Sequence, residues 1–134
     1  MKIERIRHNN EILAILLKKN KTQEGFEVLT PPEFSLQFGI NVKKKGEKSK
    51  AHFHPSTEAT KEPRQEILHI IGGRIKLTLY TTFGKKVGER ILNKGDTVLL
   101  TKGHGLEVLE DTRMIEIKQG PFPGPEKDKI FLED

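Results

Sequence analysis

The chain has 134 residues and a mass of 15.3 kDa, which is enough for one domain with a buried core and too few for two. Apolar residues make up 34% of the chain and cluster in short runs, which favours a folded protein over a disordered one. The longest apolar run, residues 12–17, is far shorter than the roughly 20 residues of a membrane span, and the first residues lack the apolar centre of a signal peptide. We therefore expect a soluble, cytoplasmic protein without a membrane partner.

The amino-acid counts also restrict the chemistry. Because the chain has no cysteine, it has no disulfide and no thiolate metal site, and any metal must be held by imidazole and carboxylate groups. The formal net charge of +5 invites a nucleic-acid interpretation, but the lysines are spread over many segments and there is no Trp and one Tyr for base stacking. We expect no nucleic-acid partner. The densest basic run, KKKGEKSK at residues 43–50, is typical of a solvated turn, and its functional alternative is a rim that attracts an anionic small molecule.

The predicted elements begin with an ambiguous segment, residues 9–20, which fits a strand better than a short helix capped by Asn9 or Asn10. Residues 33–42 then alternate apolar and polar side chains with the period of two of a half-buried strand. Further short strands are predicted for EILHIIGG, RIKLTLY, ERILNKGD, DTVLLTKG, LEVLED and RMIEIKQ. This succession predicts an all-β fold, either a sandwich or a small barrel.

Glycine and proline define the predicted turns. Gly84 and Gly88 allow a hairpin loop between two strands, and Gly72 and Gly73 predict a tighter turn that needs a positive φ. The segment QGPFPGPEKDK, residues 119–129, has three prolines and two glycines, so it must be a loop or tail at the surface. The final IFLED would dock as a last short segment.

Four side chains form the candidate chemical site. His52 and His54 lie two residues apart, so on a strand both imidazoles project from one face toward one ion. Glu66 begins an apolar strand, where a carboxylate is costly unless a positive charge meets it. His104 lies between two glycines, which permit close backbone approach and an unusual turn. Imidazole with carboxylate suits a divalent metal such as iron, manganese, zinc or nickel.

These residues carry a resemblance to a small single-domain cupin. The first cupin motif is a glycine, five residues, HxH, a short gap, a glutamate, six residues and a glycine. Gly46 is followed by five residues and the HxH pair, and Glu66 is followed by six residues and Gly73. Eleven residues separate His54 from Glu66, where the family has three or four.

Glu58 stands at the family's usual distance from His54 and is the alternative carboxylate. We favour Glu66, because it has the glycine at the right distance and leads into an apolar strand. The inserted residues 55–65 would then form a loop at the mouth of the barrel. In the second cupin motif the metal histidine would occupy the position of Leu106. The segment KGHGLEVLEDTRMIEIKQGPF, however, resembles a branch of small cupins, and under that resemblance His104 matches the metal histidine.

The resemblance implies a double-stranded β-helix, or jelly-roll barrel. Its expected division is an N-terminal extension at residues 1–35, a barrel core at 36–122 and a C-terminal tail at 123–134, within one domain. It also implies a homodimer, with residues 3–17 contributing to the contact. His52, His54, Glu66 and His104 would hold the metal.

The cupin fold is compatible with many activities, so the resemblance does not identify the reaction. Our first hypothesis is a metal-dependent enzyme or binding protein for a small polar anionic molecule, such as a sugar or nucleotide-sugar. The alternatives are a noncatalytic binding or regulatory module with a structural metal, and a metal-dependent dioxygenase. The residues expected to contact the ligand are Arg64, Arg74, Lys76, Tyr80 and Lys102.

Overall fold

The computed structural model describes residues 2–19 and 24–132, and in these ranges the chain forms ten strands and no helix. The strands are β1 (Lys2–His8), β2 (Glu11–Lys19), β3 (Gly25–Val28), β4 (Leu36–Lys43), β5 (Lys48–Phe53), β6 (Glu66–Tyr80), β7 (Lys86–Asn93), β8 (Thr97–Leu100), β9 (Gly103–Gln119) and β10 (Ile130–Phe131). No helix in the described part of the chain is long and apolar enough to cross a membrane.

The strands form two antiparallel sheets. β1 and β2 form a two-stranded ribbon, and the other eight strands belong to one sheet. β9 organises this sheet: it pairs with β6 along most of its length, while β5 pairs with its first half and β4 with its second. β3 extends β4, β10 extends β5, and β7 and β8 pair with β6. β9 therefore has β6 along one edge and β5 and β4 in succession along the other. The all-β sheet and the similar solved structures confirm the predicted jelly-roll class.

The core lies between the inner faces of the rolled sheet. Its buried apolar residues are Leu68, Ile70, Ile75, Leu77, Leu100, Val108 and Met114. The inward positions of β6 are even-numbered up to Ile70 and odd-numbered from Ile75 onward, because the pairing with β9 shifts register between them. The shift keeps apolar side chains facing the core on both sides of the irregularity.

Gly73 produces this irregularity. Its φ is +96°, and a Cβ there would lie 2.6 Å from Thr112 Cα, so only glycine fits against the neighbouring strand. The positive φ expected here is present, but the predicted tight turn was wrong: the two segments around Gly73 form the single strand β6. In the same way, the segments LEVLED and RMIEIKQ form the single strand β9.

Several other predicted elements are present in the described structure. Within residues 9–20 the strand prediction is confirmed by β2, and Asn9 and Asn10 form the turn before it with φ of 48° and 65°. The hairpin at Gly84 joins β6 and β7, and residues 130–131 dock on β5. β3 lies within the predicted N-terminal extension but pairs with β4. The division into extension, barrel and tail stays a prediction.

Candidate metal centre

Two paired strands bring the three candidate histidines together. His52 lies on β5 directly opposite His104 on β9, and His54 follows the end of β5. The ring centroids of His52 and His104 are 4.6 Å apart, and those of His52 and His54 are 5.2 Å apart. The three rings are 3% to 6% exposed, and one nitrogen from each lies within 4.8 Å of the others. Three buried histidines in this arrangement could hold a metal ion.

The glycines beside His104 allow the strands to approach this closely. A Cβ on Gly105 would lie 3.2 Å from Ser49 O, and a Cβ on Gly103 would lie 3.1 Å from Tyr80 O. The expected close backbone approach is therefore confirmed. The unusual turn is not, because Gly103 and Gly105 are both within β9.

Glu66 is the carboxylate nearest to His54 and His104, although the group whose atoms all lie within 4.8 Å of one another consists of the three histidines alone. It is the first residue of β6 and is 7% exposed, with Oε2 2.9 Å from His54 Nε2 and Oε1 3.9 Å from His104 Nε2. The inserted loop does not displace it, because Arg64 N donates to His54 O at 2.8 Å and so closes the loop at its base. Glu58, the alternative carboxylate, is exposed within that loop.

Backbone carbonyls orient all three imidazoles in the same way. The Nδ1–H groups of His52, His54 and His104 face the carbonyls of Lys50 at 2.7 Å, Asp128 at 2.9 Å and Lys102 at 3.3 Å, respectively. Nδ1 must be the donor in each contact because a carbonyl only accepts, so Nε2 is the nitrogen left for a ligand.

His54 Nε2 and the Glu66 carboxylate form a close, buried contact. The atom is buried, and within the described chain its 2.9 Å approach to Glu66 lacks hydrogen-bonding geometry. A neutral imidazole with its proton on Nδ1 would present a lone pair to the carboxylate, which is repulsive unless a proton or a metal ion lies between them. The donor set therefore fits a metal ion.

Burial controls the protonation of these groups. Burial, with the nearby His104 and His54, lowers the pKa of His52 from 6.5 to about 4, and burial also lowers the pKa of His104. Burial would lower the pKa of His54 too, but Asp128 and then Glu66 raise it overall. Burial would raise the pKa of Glu66, yet His54 and His104 hold it below its ordinary value. His52 and His104 are thus neutral near pH 7, the form that binds metal.

A cavity of about 750 Å³ opens beside the histidines. Its wall includes His52, His54, Glu66 and His104 together with apolar side chains of β3 and β4. Its charged side chains are five acids and three lysines: Glu24, Glu47, Glu66, Glu116, Asp128, Lys43, Lys118 and Lys129. The acids outnumber the lysines by two, and the Glu116 carboxyl is only partly ionised near pH 7 because its pKa is raised to about 7. The cavity has the size of a small-molecule site.

The five residues predicted to contact the ligand are not part of this cavity wall. Arg64 is 2% exposed and is bound to main-chain oxygens and to Asp128. Arg74 lies near Glu110 at 4.0 Å, and Lys102 pairs with Glu62 at 3.4 Å. The alternation along β6 turns Lys76 and Tyr80 to the face opposite the core residues Ile75 and Leu77.

Sequence reasoning missed three groups beside the site. Asp128, in the proline-rich segment, contacts His54, and Lys118 Nζ lies 3.3 Å from both carboxylate oxygens of Asp128. Glu116 accepts a hydrogen bond from Asn41 Nδ2 at 3.3 Å, and burial together with the charge of Glu66 raises its pKa to about 7. Alternation along β9 places Glu116 and Lys118 on the inner face, and this was a usable sequence signal. Asp128 has no comparable pattern.

The sequence matches no family in a comparison with protein families, and it matches none of the curated proteins. Solved structures show the fold. A cupin-2 domain protein from Shewanella frigidimarina has 14% identity and a TM-score of 0.55, over 75% of this chain and 85% of that one. CapF, a capsular polysaccharide assembling protein from Staphylococcus aureus, has 18% identity and a TM-score of 0.62, over 99% and 35%. The coconut allergen cocosin has 15% identity and a TM-score of 0.54, over 64% and 22%.

This chain therefore has the cupin fold, and its three buried histidines lie together in the wall of the cavity. It spans about a fifth of cocosin and about a third of CapF, so it corresponds to one part of each of those chains.

Proposed function

We propose that the protein is a metal-dependent cupin in which His52, His54, Glu66 and His104 hold one divalent ion that binds a small polar molecule. The observation that carries the proposal is the shared orientation of the three imidazoles, whose Nδ1 groups are fixed by carbonyls and whose Nε2 groups remain free for a ligand. Carbonyl contacts of this kind are what orient metal-binding histidines in proteins.

The distances and charges support a metal at this position. Two ligand atoms that are each about 2.1 Å from one ion and at right angles lie about 3.0 Å apart. Glu66 Oε2 and His54 Nε2 are 2.9 Å apart. A divalent ion would also offset the excess of carboxyl groups over lysines in the cavity wall.

The ligand proposal follows from the cavity. A bound divalent ion would supply Lewis acidity to a ligand oxygen that reaches it. An anionic ligand, such as a sugar acid, would meet the ion at one end and Lys43 or Lys129 elsewhere on the wall. These lysines replace Arg64, Arg74, Lys76 and Lys102 as the expected source of positive charge. The cavity beside the four groups leaves room for such a molecule, whereas a purely structural metal would need a closed shell.

Elemental analysis of the purified protein tests the metal. We expect about one equivalent of a divalent transition metal in the wild type and strong depletion in His54→Ala and His104→Ala. His69→Ala is the matched control, because His69 binds Thr97 on β8 and lies outside the cluster. Equal metal content in all four proteins would refute the assignment.

Thermal unfolding tests the ligand. Metal-loaded protein is heated with and without small sugar acids and dicarboxylates, and a true ligand raises Tm because it binds only the folded state. If the metal raises Tm and none of the anions adds to it, the anionic ligand is abandoned and the structural-metal alternative is favoured.

We also propose a homodimer. Apolar side chains are exposed on the first three strands, with Ile6 44%, Leu13 63%, Phe26 50% and Val28 50% exposed, and a second copy could cover them. Light scattering should give twice the 15.3 kDa chain mass, and the chain mass itself would refute the dimer. Cytoplasmic localisation stays a prediction.

A further inference from the structure

Residues 123–132, which are the described part of the tail predicted at 123–134, reach the candidate metal centre through Asp128. The carbonyl oxygen of Asp128 accepts hydrogen bonds from His54 Nδ1 at 2.9 Å and from Arg64 Nη2 at 2.8 Å. Asp128 is 7% exposed although its neighbours Lys127 and Lys129 are exposed. The contact is therefore made by a buried group within an otherwise exposed segment.

The side chain of Asp128 fixes the position of this carbonyl. Its Oδ1 accepts from Arg64 Nη2 at 3.2 Å, and both carboxylate oxygens lie 3.3 Å from Lys118 Nζ. Arg64 is held in turn by Pro55 O, to which its Nε donates at 3.0 Å. The side chains of Arg64 and Lys118 thus contact the Asp128 carboxylate, and the Asp128 carbonyl accepts the hydrogen bond from the His54 imidazole.

Further contacts tie the segment to the strand that precedes His54. Ile130 and Phe131 pair with Phe53 and His52, and Leu132 N donates to Ala51 O at 2.9 Å. The segment therefore lies along the side of β5, and Asp128 is its deepest point.

We propose that Asp128 is a positioning residue that holds the His54 ring in its metal-binding orientation. The inference rests on the proposed metal function. A histidine ring is free to turn about its Cβ–Cγ bond unless a partner holds the second nitrogen, and loss of such a partner typically weakens metal binding by about 10- to 100-fold. The hydrogen-bond partner at 2.9 Å is the carbonyl, and Oδ1 of the same residue lies 3.6 Å from His54 Nδ1. The Asp128 side chain therefore acts by keeping the main chain in place and by placing its negative charge beside the ring.

Cobalt(II) alone serves as the probe. The Kd for cobalt(II) and the visible absorption band of the complex are measured for wild type, Asp128→Ala and Asp128→Asn. Asp111→Ala is the matched control: Asp111 Oδ1 also accepts a long-range main-chain hydrogen bond, from Lys45 N at 2.9 Å, but on the part of β9 distant from His104. A loss of stability alone would not change the absorption band.

A measurement on metal-free protein is made in parallel. In ¹⁵N-labelled protein the Nδ1 proton of His54 should exchange slowly with water, because Asp128 O accepts it in a buried site. We expect this signal in wild type and Asp111→Ala, a faster-exchanging signal in Asp128→Asn, and no signal in Asp128→Ala.

The expected result is cobalt binding weakened by about 10- to 100-fold in Asp128→Ala with a changed absorption band, and a smaller loss in Asp128→Asn, which keeps one acceptor oxygen. Binding within twofold of wild type with an unchanged band would overturn the proposal. If Asp128→Ala does not fold, Asp128→Asn decides by the same criteria. If the wild type binds no cobalt, the metal function fails, while the Nδ1 proton still decides whether Asp128 positions His54.

Discussion

His52 should make the metal-free protein lose stability in mild acid. Its pKa is lowered from 6.5 to about 4 in the folded protein, mainly by burial. Between pH 6.5 and pH 4 the His52 imidazole is protonated in the unfolded chain but stays neutral in the folded chain. Protonation therefore favours unfolding as the pH falls through this range. For this pair of values the loss at about pH 5, relative to about pH 7.5, is about 2 kcal/mol.

The assay is denaturant unfolding in EDTA at these two pH values, for wild type and for His52→Gln. Other titrating groups contribute to both proteins, so the informative quantity is the difference between the two pH responses. We expect the wild type to lose about 2 kcal/mol more than His52→Gln over this interval. His69→Gln is the control for the removal of an imidazole, because the His69 ring lies outside the cluster.

Equal pH responses in wild type and His52→Gln would refute the reasoning, because His52 would then titrate alike in the folded and unfolded states. A larger loss in the variant would refute it as well. The metal-loaded wild type should lose still more stability than the apoprotein in the same interval, since protons compete with the metal for the imidazole nitrogens.

Three further predictions concern the fold and the cavity. Gly73→Ala should lower the free energy of unfolding by about 3 kcal/mol or more, against about 1 kcal/mol for Gly95→Ala, which has a similar φ of +92° but open space around it; equal losses in urea unfolding would contradict the steric argument. Leu68→Ala should cost about 2–5 kcal/mol because Leu68 is 1% exposed, and a loss below about 1 kcal/mol in the same assay would remove it from the core. Glu116→Gln should stabilise the metal-free protein above pH 7, since a raised pKa costs stability as the pH rises from 4.5 through about 7; an unchanged difference from wild type between pH 5 and 8 would oppose this.

The strand pattern was readable from the sequence because burial in a sheet has a period of two. Alternation predicted β4, and short strand-like runs separated by turn residues predicted both halves of β6 and β9. The connection between halves was misjudged at Gly72 and Gly73, since a positive φ serves a β-bulge as well as a hairpin turn. Local sequence does not distinguish these two uses, because the choice depends on whether a long neighbouring strand such as β9 continues past the glycines.

Some residues of the candidate site were predictable from local sequence and others were not. The spacing of His52 and His54 brought two imidazoles together by strand geometry alone, and the glycines marked His104. The cationic residues near them in sequence were predicted to contact the ligand, but none of them lines the cavity, and Arg74 and Lys102 are exposed beside Glu110 and Glu62. Asp128 lies 74 positions from His54, and nothing in a proline-rich segment signals so distant a contact.

Arg64 connects the loop of residues 55–65 to the candidate metal centre, so this loop contributes to the structure of the site. The main-chain N–H of Arg64 closes the loop onto His54 O, and its guanidinium holds Asp128. A buried guanidinium without these oxygens would be strongly unfavourable, so the loop, Arg64 and Asp128 must be ordered together. The eleven residues between His54 and Glu66 thus supply the cation that fixes the partner of the His54 ring. The segment between His54 and Glu66 therefore also supports the His54 side chain.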